Sequence, residues 1–217
     1  MDTLLRIIVV VASYLIGSIP TGVVIVKLVA GKDIRQVESG RTGGTNAFRA
    51  AGIWAGVGTA LLDGLKGAVA VWLAKALFPV DPWVHVLAGL GAILGHNYSI
   101  FIIERNEQGR LRLRGGAGGA PTAGAAFALW PVSILIILPL GALIFYLIGY
   151  ASITTMSVPL LAAIIFACRA WNGSSPWEYV WFGLLAELIL IWGLRPNIRR
   201  LLDGTERIHG FRARVNK

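Results

Sequence analysis

The chain has 217 residues, of which 56% are hydrophobic and only 14% charged, and its mean hydropathy is +0.70. Because soluble domains carry about a quarter charged residues, this composition excludes a soluble globular protein and predicts an integral membrane protein. The formal net charge of +9 does not indicate a nucleic-acid partner, since the basic residues lie between apolar runs, where cytoplasmic loops, anionic lipids or phosphorylated substrates account for them.

Long apolar runs follow one another along the chain, and a transmembrane helix needs about 20 such residues. The runs cover residues 4–30, 51–78, 83–103, 119–168 and 177–194. The first run is longer than the apolar segment of a secretory signal and contains Pro20, so we interpret it as a retained transmembrane helix. The run 119–168 is long enough for several crossings.

Basic residues between these runs indicate which loops face the cytoplasm. They are Lys32, Arg35, Arg41 and Arg49 after the first run, Arg105, Arg110, Arg112 and Arg114 after the third, and Arg195, Arg199 and Arg200 after the last. The positive-inside rule places all three groups in the cytoplasm, with the N-terminus outside and the C-terminus inside.

An odd number of crossings then requires three helices from the run 119–168. Trp130-Pro131 separates a helix near 121–132 from one at 134–148, and the polar residues 149–152 return the chain to the cytoplasmic side. We therefore predict an all-α, polytopic bundle of about seven transmembrane helices, one domain over residues 1–217, with an outer loop at 169–177.

The first cytoplasmic loop has the composition of a phosphate-binding loop. Residues 38–49 read ESGRTGGTNAFR and combine glycines, hydroxyls, an amide and two arginines. Glycines let backbone N–H groups approach an anion, and guanidinium groups match phosphate oxygens in pairs. The alternative is a flexible basic loop that only sets topology, because a glycine-rich run alone is weak support for a site.

The loop after the third run repeats this composition. Residues 112–122 read RLRGGAGGAPT and end where a helix is expected to begin. A helix N-terminus behind a glycine-rich turn binds anions readily. The alternative is a loose hinge with arginines that extend towards the membrane surface.

Ionisable residues also lie within the apolar runs. Asp63 and Lys66 are three residues apart, so they can meet on one helix face. Such groups are costly in lipid, and this pair is either part of a functional site or an internal structural ion pair. His96, near the inner end of its helix, is a candidate general base, and the alternative is a structural histidine.

Short motifs with a shared pattern are spread over nearly the whole chain. They are residues 14–22 (YLIGSIPTG), Ser39-Gly40 through Thr45-Asn46 to Arg49, Asp63, Lys66-Gly67, Gly95-His96 and residues 197–206 (NIRRLLDGTE). Together these motifs resemble the bacterial acyl-phosphate:glycerol-3-phosphate acyltransferase family. The resemblance implies a seven-helix membrane enzyme that makes lysophosphatidate, with its active site facing the cytoplasm.

The resemblance also implies one pocket formed by the first loop, the glycine-rich loop after the third run and the turn at Ser152. We predict catalytic roles for Ser39, Arg49 and His96. The predicted substrate- and phosphate-binding residues are Arg41, Gly43, Gly44, Thr45, Asn46, Arg112, Arg114, Gly115, Gly116, Gly118, Ser152 and Asn197, with Asp63 and Lys66 as a structural or site ion pair.

The chain departs from the family pattern at several positions. Ala117 stands where the family has a lysine, Leu194 and Pro196 stand where it usually has histidine and glutamate, and Arg41 replaces an asparagine. These changes would abolish or redirect the reaction unless another cation compensates. The candidates for the missing charge are Arg41, Arg112 and Arg114.

The implied reaction is attack by the 1-hydroxyl of glycerol 3-phosphate on the carbonyl of an acyl phosphate. This donor has a good leaving group, so positioning and charge neutralisation can supply catalysis. We expect no cofactor and no metal, because the sequence has no convincing carboxylate or Cys/His cluster to hold one. The expected partners are glycerol 3-phosphate, acyl phosphate and the lipid bilayer, with functional coupling to an enzyme that produces acyl phosphate. The expected location is the bacterial cytoplasmic membrane.

Other classes of function remain open at this stage. A non-catalytic lipid-binding paralogue would explain the lost lysine and histidine. A small-anion transporter would also place arginines and glycines near helix breaks, but should show inverted repeats. A CDP-alcohol phosphotransferase is disfavoured, because Asp63-Gly64 lacks the further spaced aspartates that hold two metals. Acyl-CoA donors are disfavoured, because no histidine is followed by four residues and an aspartate.

Overall fold

A computed structural model describes residues 2–105 and 108–209. Its helices are α1 (Asp2–Ser18), α2 (Thr21–Ala30), α3 (Gly44–Ala51), α4 (Ile53–Leu77), α5 (Pro82–Asn97), α6 (Gly119–Leu129), α7 (Ile134–Ile148), α8 (Ala151–Trp171), α9 (Glu178–Gly193) and α10 (Arg195–Leu202), with 3-10 helices at Ile34–Gln36 and Pro131–Ser133. Strands β1 (Ser99–Arg105) and β2 (Leu111–Arg114) pair antiparallel. Residues 106 and 107, in the basic loop after the third run, and residues 1 and 210–217 of the predicted domain lie outside the described residues.

The first apolar run forms one candidate membrane span, Asp2–Ala30, as predicted, but its helix is interrupted at residues 19–20. Because Pro20 has no N–H to continue the helical bonding, α1 ends at Ser18 and α2 begins at Thr21. The break exposes the Ile19 carbonyl, which accepts a hydrogen bond of 2.8 Å from the Lys66 ammonium. The break therefore supplies a partner for a buried charge.

The second run forms α4, and its predicted span of 51–78 agrees with the observed Ile53–Leu77 to within two residues. The preceding basic loop is not wholly irregular, because its second half forms α3. Gly52, with φ of 85°, joins these two helices and allows the sharp change of direction between them.

The third run contains both a helix and a strand, so the predicted helical bundle is confirmed as mostly helical but also carries a two-stranded hairpin. The helix predicted for 83–103 ends at Asn97, and β1 begins at Ser99. Residues 100–103 are Ile-Phe-Ile-Ile, whose β-branched and aromatic side chains favour a strand. The hairpin is further held by Glu104, which forms salt bridges of 2.9 Å with Arg114 and 3.5 Å with Arg35. An apolar run of this kind does not by itself distinguish a helix from a strand.

The long run 119–168 forms three helices, as predicted, and α7 has the predicted bounds of 134–148. The helix expected near 121–132 is shorter, since α6 ends at Leu129 and a 3-10 turn follows at Pro131–Ser133. Helix α8 extends to Trp171, so the connection predicted at 169–177 is shorter than expected.

The helices pack around a core of large apolar side chains. Phe166, Phe182, Leu190, Ile93 and Val71 have no exposed surface. Large apolar side chains also cover the outside of the bundle, including Leu135 at 71% exposed, as a lipid environment requires. Within the described residues, four helical segments are long and apolar enough to cross a membrane, or five if the bent pair of α9 and α10 counts as one span.

The bundle has two chemically different ends. The far end is defined by Lys75, Phe78, His85, Leu129 and Tyr179, where α4, α5, α6 and α9 meet through hydrogen bonds. The cavity end is the opposite one, where the loops before α3, before α6, before α8 and after α9 converge on one cavity. The basic loops singled out in the sequence therefore lie together at one end of the molecule.

Candidate active site

A cavity of about 620 Å³ opens at the cavity end. Its walls come from the first loop and α3, the β hairpin with the glycine-rich loop, the start of α8, the corner between α9 and α10, and residues 205–209. The predicted site residues that line it are Ser39, Arg41, Gly43, Gly44, Thr45, Asn46, Arg49, Asp63, His96, Arg112, Arg114, Gly115, Gly116, Gly118, Ser152 and Asn197. Lys66 lies behind this wall, bonded to Asp63.

Asn46 holds the first loop in shape. Its side-chain amide nitrogen donates to the carbonyl oxygens of Ile34, Val37 and Arg41, at 3.1, 2.9 and 2.8 Å. The residue is only 2% exposed, and its amide ties together three carbonyl groups of the loop. Because its donors are already used, we infer that Asn46 shapes the loop rather than donating directly to a phosphate.

Arg41 joins parts of the chain that are far apart in sequence. Its guanidinium donates to the carbonyl oxygen of Gly116 at 3.1 Å, to that of Gly193 at 2.7 Å and to Asn197 Oδ1 at 3.3 Å. Burial lowers the pKa of Arg41 from its ordinary value, with neighbouring arginines acting in the same direction. Arginine nevertheless keeps its charge at neutral pH. Arg41 therefore places one fixed positive charge between the glycine-rich loop and the α9–α10 corner.

The glycine-rich loop packs directly on the end of α5. The Gly116 N–H donates to the His96 carbonyl at 2.9 Å, and a Cβ at Gly116 would collide with the His96 imidazole. The loop ends at Gly118, whose φ of 92° also requires glycine, and α6 begins at Gly119 without a side-chain cap. Consequently, the uncapped N–H groups of α6 point towards the cavity end, as in helix N-terminal anion sites.

Asp63, Lys66 and His96 form one buried cluster. Asp63 Oδ1 lies 2.7 Å from Lys66 Nζ and 3.4 Å from His96 Nδ1. The Thr21 hydroxyl also donates to this carboxylate oxygen, at 2.5 Å. The predicted ion pair therefore exists and includes the histidine as well. Since Asp63 and His96 both line the cavity, the cluster connects the helical core to the site.

Several buried polar atoms that line the cavity have no partner among the described residues. They are Asn46 Oδ1, Asp63 Oδ2, both side-chain amide atoms of Asn97, and Ser152 Oγ. A buried polar group without a hydrogen bond costs about 1–3 kcal/mol, so such groups are normally paired in a folded protein. Five of the nine such atoms in the described residues belong to side chains that line this cavity, which favours a polar ligand there.

Asn97 was missing from the residues predicted to form the site. It is 5% exposed, and its amide lies beside Gly118 at the start of α6. The available signal was its position directly after His96, at a polar break in an apolar run. The sequence did not show that its amide would stay unpaired, because that depends on the surrounding loops.

The remaining arginines at the cavity differ in how far they are already engaged. Arg114 is bound to Glu104 at 2.9 Å and to the Gly40 carbonyl at 3.3 Å. Arg112 is exposed and has no side-chain partner within the described part of the chain. Arg49 is half-buried, and burial lowers its pKa from the ordinary value. Arg49 has one side-chain partner, His209 Nε2 at 2.8 Å from its Nη2. Of these three arginines, Arg49 and Arg112 therefore keep more guanidinium N–H groups available for an anion than Arg114 does.

Comparison with known proteins identifies the family. The model of the family described as "Glycerol-3-phosphate acyltransferase" matches residues 7–204. The chain belongs to this family. A glycerol-3-phosphate acyltransferase of Chlorobium phaeobacteroides is 34% identical, over 89% of this chain and 92% of the relative. A protein named glycerol-3-phosphate acyltransferase 2 of Moorella thermoacetica is 39% identical, over 94% of this chain and 97% of the relative.

Solved structures show the same fold for another glycerol-3-phosphate acyltransferase. The crystal structure of PlsY, an integral membrane glycerol 3-phosphate acyltransferase, in its glycerol 3-phosphate form matches with a TM-score of 0.80. The two chains are 32% identical, and the match covers 98% of this chain and 99% of that one. The lysophosphatidic acid form of PlsY matches with a TM-score of 0.78 over 94% and 95% of the two chains.

Within this acyltransferase fold, the unusual residues of the chain have a structural explanation. Pro196 lies in the first turn of α10, where its missing N–H costs nothing. Leu194 is 2% exposed, and its carbonyl accepts the first helical bond of α10 from Asn197. The corner next to them is held by Arg41, whose guanidinium donates to the Gly193 carbonyl and to Asn197 Oδ1.

Proposed function

We propose that this chain transfers a fatty acyl group from acyl phosphate to the 1-hydroxyl of glycerol 3-phosphate, making lysophosphatidate for phospholipid synthesis. The observation that carries this proposal is the cavity itself. It combines Arg49 and Arg112, the uncapped N-terminus of α6, and the unpaired polar atoms of Asn97 and Ser152. These groups suit a phosphorylated, hydroxyl-bearing substrate, and the family match supports the acyl transfer.

The proposed step exchanges one acyl–oxygen bond for another. The 1-hydroxyl oxygen bonds to the acyl carbonyl carbon, the bond between that carbon and the phosphate oxygen breaks, and inorganic phosphate leaves. The hydroxyl proton passes to a base, for which His96 or the departing phosphate is available. Because acyl phosphate is already activated, the protein mainly aligns the two substrates and neutralises their charge.

The charged groups divide this work between them. Arg49 binds the phosphate of glycerol 3-phosphate through its guanidinium fork, and Arg112 approaches from the hairpin to supply the charge missing at Ala117. Arg41 positions the glycine-rich loop from behind, because its donors already bind carbonyl oxygens. Ser39 is exposed at the rim and hydrogen-bonds to a hydroxyl or phosphate oxygen of the incoming substrate.

In the proposed topology the cavity end faces the bacterial cytoplasm, with seven crossings made by α1 and α4 to α9. The alternation of the chain between the two ends supports this count, since successive helices end in turn at the cavity end and the far end. The concentration of arginines at the cavity end supports a cytoplasmic orientation. The chain acts as one membrane-embedded domain in this arrangement.

The proposed partners are glycerol 3-phosphate, acyl phosphate and the surrounding lipids, with coupling to an enzyme that produces acyl phosphate. No metal or cofactor takes part in the proposed step. Within the described residues no group of three or more His, Cys, Asp or Glu side chains is placed to hold a metal.

A direct assay tests the proposed function. Purified protein in lipid receives glycerol 3-phosphate with either acyl phosphate or acyl-CoA, and lysophosphatidate and inorganic phosphate are measured. We expect lysophosphatidate to form with acyl phosphate as the donor but not with acyl-CoA. EDTA should not change the rate of this reaction. Loss of activity with EDTA and its return with magnesium would refute the metal-free step. Tight ligand binding without turnover from any donor would instead identify a non-catalytic lipid-binding paralogue.

Cysteine labelling tests the proposed topology. A Cys168→Ser background removes the native cysteine, which is exposed. A single cysteine placed at the exposed Gln36 in the first loop should react only after the membrane is opened, whereas one placed at Gly173 should react from outside. Labelling of position 36 by an impermeant reagent on intact cells contradicts the orientation.

A further inference from the structure

Residues 205–209 form a strap that closes one side of the cavity. Thr205 and Glu206 donate through their N–H groups to the Arg200 carbonyl, at 2.8 and 3.0 Å. The Glu206 carboxylate accepts from Asn197 Nδ2 and from Arg200 Nε, each at 2.9 Å. The strap is therefore tied to α10 at its beginning.

The same strap reaches two other parts of the site. The Arg207 guanidinium lies 2.8 Å from the Glu38 carboxylate of the first loop. The His209 N–H donates to the Gly149 carbonyl, before α8, at 2.7 Å. The His209 ring stacks on Phe145 with 5.7 Å between ring centres and 23° between planes. These contacts fix the position of the imidazole.

The fixed imidazole faces Arg49. Arg49 Nη2 lies 2.8 Å from His209 Nε2, and His209 is the one hydrogen-bond partner of this guanidinium within residues 2–105 and 108–209. A guanidinium can only donate, so Nε2 accepts this bond and the imidazole is neutral. The other guanidinium N–H groups of Arg49 stay available for a phosphate.

We propose that His209 is a positioning residue, which holds the Arg49 guanidinium in the orientation that binds the phosphate of glycerol 3-phosphate. This inference rests on the proposed function. The family model matches residues 7–204, so His209 is not among the residues that this model matches.

The charges around His209 favour its neutral form. Burial lowers the pKa of His209 from its ordinary value of 6.5, and the nearby Arg49 and Arg207 lower it further, against the opposing effect of Glu206 and Glu38. The lowered pKa means that the contact with Arg49 is present at neutral pH and is lost as the pH falls below the pKa of the folded state. Since the unfolded state then binds the proton more readily, folding stability from this group also decreases as the pH falls below about 6.5.

Two substitutions at one position test the proposal. His209→Ala removes the acceptor, while His209→Gln keeps an amide oxygen that can accept the same bond. We expect His209→Ala to raise the KM for glycerol 3-phosphate about 2- to 13-fold, the value of one ordinary hydrogen bond, with little change in the KM for acyl phosphate. His209→Gln should restore most of the affinity.

A pH series adds a readout that a merely structural histidine would not change. The ratio of wild-type KM to His209→Gln KM cancels the ionisation of the substrate itself. We expect this ratio to rise as the pH decreases, because only the wild-type contact is lost by protonation. His85→Gln, at the far end, serves as the matched control and should leave the KM for glycerol 3-phosphate unchanged.

The outcomes separate this inference from the proposed function. An unchanged or lower KM in His209→Ala overturns the positioning role, and a lower value shows that the imidazole competes with the phosphate. If the wild type makes no lysophosphatidate, the proposed function fails by itself. Calorimetric binding of glycerol 3-phosphate to the wild type and both variants then decides the role of His209 without turnover, with weaker binding in His209→Ala alone as the supporting result.

Discussion

Lys75 and His85 at the far end differ in their hydrogen bonding from Asn97 and Ser152 at the cavity end. At the far end, Lys75 Nζ donates to the carbonyl oxygens of Ala128 and Leu129, at 2.7 and 3.0 Å. His85 has a partner for each ring nitrogen, the Tyr179 hydroxyl at 2.9 Å and the Phe78 carbonyl at 2.7 Å. At the cavity end, the amide of Asn97 and the hydroxyl of Ser152 are only 5% and 3% exposed and have no partner in the described chain. Unpaired buried atoms also occur away from the cavity, at Ser133 Oγ and Arg169 Nε.

For these four residues, we interpret the difference as one between side chains that stabilise the fold and side chains that bind a ligand. A satisfied polar group stabilises the bundle, whereas an unsatisfied one lowers its stability and is retained only where another benefit exists. Burial and charge alone would rank Lys75 and His85 beside Arg49 and His96. The completeness of their hydrogen bonding distinguishes them, and substitutions at each end test this distinction.

The largest effect is expected at Arg41, which belongs to the cavity end but has satisfied donors. Arg41→Ala should lower kcat/KM by at least about 100-fold, or about 2.7 kcal/mol, because it releases the glycine-rich loop from the α9–α10 corner. Steady-state kinetics with both substrates measures this loss, and Arg41→Lys should recover only part of it. A kcat/KM within threefold of the wild type would show that the corner holds without Arg41.

At Arg49 we expect the next effect, a higher KM for glycerol 3-phosphate without a change in the KM for acyl phosphate. Arg49→Lys keeps the charge but loses the guanidinium fork, which is not equivalent to an ammonium group. The KM for glycerol 3-phosphate should rise about 10- to 150-fold, because a charge-assisted hydrogen bond contributes about 1.5–3 kcal/mol. If Arg49→Lys binds and turns over glycerol 3-phosphate normally, and Arg112→Gln also has no effect, the substrate phosphate does not lie beside these two arginines.

Asn97 offers the sharpest test of the comparison, since stability and activity should move in opposite directions. Asn97→Leu removes an unpaired buried amide and replaces it with an apolar group of similar size. We expect the thermal midpoint to rise by a few degrees and kcat/KM to decrease about 2- to 13-fold, the value of one lost ligand hydrogen bond. A lower midpoint with unchanged activity would assign the amide a structural role.

The smallest effect on catalysis is expected at Lys75, whose contacts lie at the far end. Lys75→Met leaves the Ala128 and Leu129 carbonyls without their donor, at a cost of about 1–3 kcal/mol of folding stability. The thermal midpoint in detergent should decrease, while both KM values measured below that midpoint stay unchanged. A raised KM would show that the two ends are coupled and that the comparison is too simple.

Much of the architecture could be predicted from residue order. The apolar runs located α4, the three helices of the run 119–168 and α9, because a span needs a long apolar segment wherever it packs. The β hairpin was missed, since residues 100–103 are as apolar as a helix would be. Only pairing with residues 111–114, across a polar turn, makes this segment a strand.

For the candidate site, residue order indicated which loops have a phosphate-binding composition. It did not show which side chains in them already have hydrogen-bond partners within the protein. Arg41 binds carbonyls 75 and 152 residues away, and Arg49 meets a histidine 160 residues away. Composition and spacing by themselves determined a membrane protein with basic, glycine-rich loops. The tertiary structure decided that the guanidinium of Arg41 and the amide nitrogen of Asn46 already have partners. It also left the side chains of Asn97 and Ser152 without a partner in the described chain, because a donor bonds to whichever carbonyls folding brings within reach.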